Sequence, residues 1–250
     1  MKVTNSADAF DLLAHAAQYE ERLVAAMSDL AELSGLERER AWLNDAQALV
    51  QKASGSFPKV LEACAFLPEL SRAREELAER AQGEWVDTLE KLQAGITYHS
   101  GSRAPILETL YPKQKLPSLR RASVETVRAY HDDFHRRLKG SYVQRMLQSE
   151  EYAFALPILD AENTCYERWQ RLLEGAVPPF DEQERQRALL LDEANDIGPL
   201  LQKARLLAEA ALLGQEGLFE RHALGARAKK RAIRLVEEPA SAPQALSSTG

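Results

Sequence analysis

Two histidines four residues apart share one face of any helix that carries them, and such a pair could hold a zinc ion. His131 and His135 stand so in the run His131-Asp132-Asp133-Phe134-His135. The residue after the first histidine is Asp132, shorter than the glutamate that acts as base in HExxH metalloproteases. His131 also falls between Val127, Phe134 and Leu138 on an apolar stripe, which admits a second reading as a half-buried, hydrogen-bonded histidine. The pair alone falls short of a metal site, so no metal or other cofactor is assigned. Glu-x-x-His is absent, and with it the ligand spacing of di-iron helical bundles.

A second polar cluster, Tyr98, His99, Ser100, Ser102 and Arg103, surrounds Gly101. Arginine and backbone N–H groups suit a small phosphate or carboxylate, and the same residues equally suit a turn with helix-capping side chains. No P-loop, GxGxxG or GxSxG occurs, so no catalytic residue is assigned and a non-enzymatic role is favoured.

The net charge is −6, but its distribution is uneven. Residues 103–145 carry 10 basic and 4 acidic side chains, while both flanking segments are acidic. This basic island includes Arg103, Lys113, Lys115, Arg120 and Arg121. It either meets an acidic partner, a phosphate or nucleic acid, or neutralises acidic helices packed beside it. Near the C-terminus, Arg227, Lys230, Arg231 and Arg234 follow i, i+3, i+4, i+7 spacing and so fall on one helical face. That face suits an anionic surface or plain solvation; aromatic residues for base stacking are lacking beside it.

Helices must position these groups, because strand alternation is nearly absent. The spacing predicts helices over 6–34 and 36–54, separated by Gly35, the second with Trp42, Ala46, Leu49 and Ala53 on its apolar stripe. A third is expected over 57–94, with Leu77, Ala81, Trp85 and Leu92 inward. The fourth reaches from a Ser123 cap to about 148, and the fifth covers 150–174 with Ile158, Cys165, Trp169 and Leu172 inward. A capping box of Asp181 and Glu184 opens the sixth, where Leu190, Ala194, Ile197, Leu201, Ala204, Ala208 and Ala211 repeat in 4-3 steps. Pro68, Pro157 and Pro199 interrupt helical patterns, and at least two of them are expected to kink helices rather than end them.

The connector 96–122 holds three prolines, so no helix runs through it. Ile106, Leu107, Leu110, Leu116 and Leu119 nevertheless make it too apolar for a flexible linker. A short helical turn is expected at 105–111, with Pro105 near its start. The segment is either a packed crossover or a binding loop.

The expected fold is all-α: an elongated antiparallel bundle of about six main helices with this Pro-rich connector in its middle. Residues 1–236 form one domain, with possible sub-bundles 1–95 and 123–236, and 237–250 is a disordered tail. The chain shows neither a signal peptide nor a run of about 20 apolar residues, and its two cysteines lack C-x-x-C spacing. A cytoplasmic setting is expected, and the excess of Arg over Lys suggests a bacterial source. The leading functional reading is a helical interaction or structural module with a protein partner or a second copy. An anion- or nucleic-acid-binding protein and an unrecognised enzyme or metal-binding bundle are the alternatives.

Overall fold

The structure, a computed structural model, describes residues 2–112 and 115–226, with the backbone alone at 53 and 54. Lys113, Arg227, Lys230, Arg231, Arg234 and the 237–250 tail lie outside the described residues. Among the described residues all regular structure is helical and no strand occurs. Six helices have 15 residues or more: α1 (Ser6–Ala31), α2 (Glu37–Ser54), α4 (Ser71–Ser100), α6 (Val124–Leu138), α8 (Ala155–Glu174) and α9 (Phe180–Ala211). Four shorter ones are α3 (Phe57–Cys64), α5 (Pro105–Leu110), α7 (Ser141–Leu147) and α10 (Glu216–Arg221). The all-α class with six main helices is the one expected. No helix among the described residues is long and apolar enough to cross a membrane.

Contacts gather these elements into two units, residues 2–58 with 190–226, and residues 59–189. The sub-bundles 1–95 and 123–236 divide the chain at other places.

In the first unit, α1 opens on Asn5, whose side chain accepts a hydrogen bond from the Asp8 N–H at 2.7 Å. Gly35 takes φ +78°, and the chain turns back into α2. The inward positions of α9 are the seven expected from its 4-3 repeat, all buried. Four are alanines, which let helix axes approach closely. Trp42 was expected inside α2. The buried set there is Leu43, Ala46 and Val50: Ala46 is as expected, Leu43 and Val50 stand one residue beyond Trp42 and Leu49, and Trp42 stays half-buried with the Arg38 guanidinium 4.8 Å from its ring. α1 and α9 run parallel: Val3 N–H donates to Asn195 Oδ1 at 2.8 Å, and Leu12 lies beside Gly198.

In the second unit, α4 and α8 pair antiparallel, because Arg168 bonds Glu84, Glu162 bonds Trp85, and Gly95 faces Phe154. A methyl group on Gly95 would collide with the Phe154 ring, so glycine sets this close approach. α6 is also antiparallel to α8, with Arg128 on Glu174 and His135 on Glu162. α4 and α6 are therefore parallel, and the chain between them has to travel back along the pair.

The connector is that return path. Gly101 takes φ +82° and stops α4 six residues beyond the expected end. α5 starts on Pro105, whose missing N–H costs nothing at the first helical position. The chain then retraces α4. Tyr111 Oη donates to the Leu89 carbonyl at 3.3 Å, and buried Gln82 donates to the carbonyls of Leu119 (2.6 Å) and Ala122 (3.2 Å). Ile106, Leu107, Leu110, Leu116 and Leu119 are all buried, as expected.

Three local expectations are corrected. Pro68 heads a 3-10 turn, Pro68–Leu70, and Pro157 lies in the first turn of α8, so only Pro199 sits inside a helix. First-turn N–H groups lack intrahelical partners, so proline there removes nothing. The helix expected over 57–94 is divided at Pro68, and the one expected up to 148 is divided at Gly140. The capping box is not formed: Glu184 pairs with Arg187 at 2.6 Å, and the Pro179 carbonyl accepts the Gln183 N–H at 3.0 Å.

Candidate functional site

A cluster of titratable and aromatic side chains lies inside the second unit, where α4, α6 and α8 meet. Glu162 is its centre. It occupies an inward position of α8 and is 1% exposed, the most deeply buried charged side chain among the described residues. Trp85 Nε1 donates to Glu162 Oε1 at 2.6 Å, and His135 Nε2 donates to Oε2 at 2.9 Å. A buried carboxylate is tolerated only when such partners replace its lost hydration. One turn earlier on α6, the His131 ring lies parallel to Tyr166, 3.5 Å between centroids, and 4.2 Å from the His135 ring.

His131 Nδ1 is buried without a well-formed hydrogen bond; the Asp132 carboxylate lies 3.5 Å away but outside bonding geometry. Burial, reinforced by the neighbouring His135 ring, holds the His131 pKa below the ordinary imidazole value, so this ring is neutral near pH 7. One nitrogen from each histidine and one Glu162 oxygen all lie within 4.8 Å of one another. Tyr130 and Tyr166 pack against Trp85 and complete the aromatic surround.

Glu162 was not singled out in the sequence, yet its position was readable. Ile158, Cys165, Trp169 and Leu172 leave a seven-residue gap in an otherwise 4-3 pattern, and residue 162 fills it. A glutamate on the inward stripe of a helix is the signal.

The other candidates disperse. Tyr98 is 86% exposed, while His99 stacks on Phe154 at 4.7 Å. Arg103 lines an open hollow of about 510 Å³ with Ser100, Gly101, Ser102, Tyr142 and Glu151. Ser100 Oγ is hydrogen-bonded to the Tyr152 hydroxyl. Arg120 is held against α4 by Asp87 (2.5 Å), Glu90 (2.8 Å) and the Gly83 carbonyl (3.3 Å). Lys115 and Arg121 are exposed. In the same basic island, Arg128 pairs with Glu174 and Arg136 with Asp133.

Both cysteines are free thiols. Burial pushes Cys64 up to about 11 and also raises Cys165, which makes both poor nucleophiles at neutral pH. No family model, curated protein or solved structure matches this chain.

Proposed function

We propose that this protein is a non-enzymatic helical interaction module that binds another protein chain in the cytoplasm. The observation that carries this reading is the apolar rim where α8 turns into α9. Leu173, Val177 and Phe180 follow one another across the Pro178-Pro179 turn, and Val177 and Phe180 are 52% and 71% exposed. Large apolar side chains grouped on a surface mark interaction sites more often than isolated ones do. The ion pairs within the basic island support the same reading, because cations engaged by neighbouring carboxylates are less available to a polyanion. The free thiols suit a reducing compartment.

Sedimentation velocity over a range of concentrations, on wild type and on a Val177→Asp/Phe180→Asp double variant, tests the self-association branch. Wild type is expected to gain mass with concentration, or with a copurifying partner protein added, and the variant to remain a monomer. Identical behaviour of the two proteins contradicts the reading.

A further inference from the structure

We propose that His131 and His135 on α6 and Glu162 on α8 form a binding site for a divalent transition-metal ion of the zinc class. The argument starts from the carboxylate. Its hydrogen-bond partners among the described residues are Trp85 and His135, and neither carries a fixed positive charge. A carboxylate this deeply buried is balanced far better by a cation at bonding distance than by neutral donors.

Two imidazoles and one carboxylate are a common donor set for zinc, and the two histidines stand one helical turn apart on the face that meets Glu162. Three ligand atoms around a tetrahedral ion lie roughly 3.3 Å from one another. Here they fall within 4.8 Å, a gap that small side-chain rotations close. As the ion binds His135 Nε2, the neutral ring changes tautomer: the proton now shared with Glu162 Oε2 is given up to solvent while Nδ1 takes one, with no net proton release.

The surrounding groups hold these ligands as metal sites require. Trp85 fixes Oε1 and leaves Oε2 directed at the histidines, while Tyr166 fixes the plane of the His131 ring. His131 and His135 keep 16% and 24% of their side chains exposed, so the cluster is not sealed from solvent. This inference is independent of the protein-binding rim, which shares none of these residues.

Cobalt(II) is the probe, added to untagged, chelator-treated protein. Wild type is expected to develop the visible absorption of a bound ion at one equivalent per chain, and added zinc to abolish it. His131→Gln, His135→Gln and Glu162→Gln should each weaken binding by more than about 100-fold, and Trp85→Phe, which spares all three ligands, by roughly 10-fold. Far-UV circular dichroism in chelator identifies any variant that fails to fold. His131→Gln, at a position less deeply buried than Glu162, keeps the test decisive if the buried variants do fail. Absence of the cobalt spectrum in wild type overturns the proposal. So does full affinity in His131→Gln, which would leave a two-ligand contact in place of a site.

Discussion

In the unit formed by residues 2–58 and 190–226, the inward side of α9 is mostly alanine and the buried set is mainly apolar, with Ser6 and Asp11 the polar side chains at its edge of burial. The unit of residues 59–189 instead buries Trp85, Trp169, Tyr152 and Phe134, and among them Gln82, Thr88 and Glu162. The first core is specified by size: small residues at a regular spacing leave room only for another helix. The second is specified also by hydrogen bonds that fix one element against another, although Thr88 bonds the Trp85 carbonyl within α4 itself. Glu162 ties α8 to α4 and α6, and Gln82 ties the connector to α4. A polar core restricts which elements can pair, at the cost of desolvating its members. The candidate ligand group lies in the second unit, where Glu162 is the most deeply buried charged side chain among the described residues.

This contrast can be broken from either side. The largest effect is expected at Glu162→Ala, which leaves Trp85 Nε1 and His135 without their acceptor and opens a cavity. Urea denaturation should show a loss of about 3 kcal/mol. A loss below about 0.5 kcal/mol would mean that the polar network does not specify this core. In the alanine seam the opposite change is diagnostic. Ala204→Leu overfills the contact and should cost about 2 kcal/mol by the same measurement, whereas a silent substitution would show that the seam is loosely packed.

The connector comes next. Gln82→Leu keeps the volume but leaves the Leu119 and Ala122 carbonyls without their donor, at about 1.5 kcal/mol. Trypsin cleavage after Lys115 should accelerate in that variant, and an unchanged cleavage rate would show that the connector is held by its apolar anchors alone.

The smallest effects belong to two tyrosines, one in each unit. The hydroxyls of Tyr19 and Tyr130 are buried without hydrogen-bond partners. Tyr19→Phe and Tyr130→Phe should therefore be neutral or stabilising, within about 1 kcal/mol. Burial pushes both phenols up to about 12. The folded chain thus keeps protons that the unfolded chain releases near pH 10. Stability from these groups is present below pH 10 and falls as the pH rises toward 12, and each phenylalanine variant should flatten that fall.

Much of this was legible in the sequence. The α9 seam could be read residue by residue because a strict apolar repeat has only one inward face. The connector's leucines and its Pro105 start were legible for a related reason: a proline-broken segment stays that apolar only if it packs. Helix divisions at Pro68 and Gly140 were not, because the apolar pattern continues across both. The α2 stripe slipped because Trp42 counts as inward by type, while cation stacking with Arg38 satisfies it at the surface. For the site, His131 and His135 were visible as a pair, but Glu162 comes from another helix and no local spacing links it to them. For Arg120 the sequence left open an external anion or an acidic helix packed beside it, because its partners, Asp87 and Glu90, lie some thirty residues upstream.

Native mass spectrometry of the untagged protein purified from its own host tests the central claim of an interaction module most directly. The account predicts a mass above the 28.0 kDa of one chain, with the excess a protein chain that the Val177→Asp/Phe180→Asp substitutions remove. A single chain at 28.0 kDa under every condition, in wild type and variant alike, would contradict it.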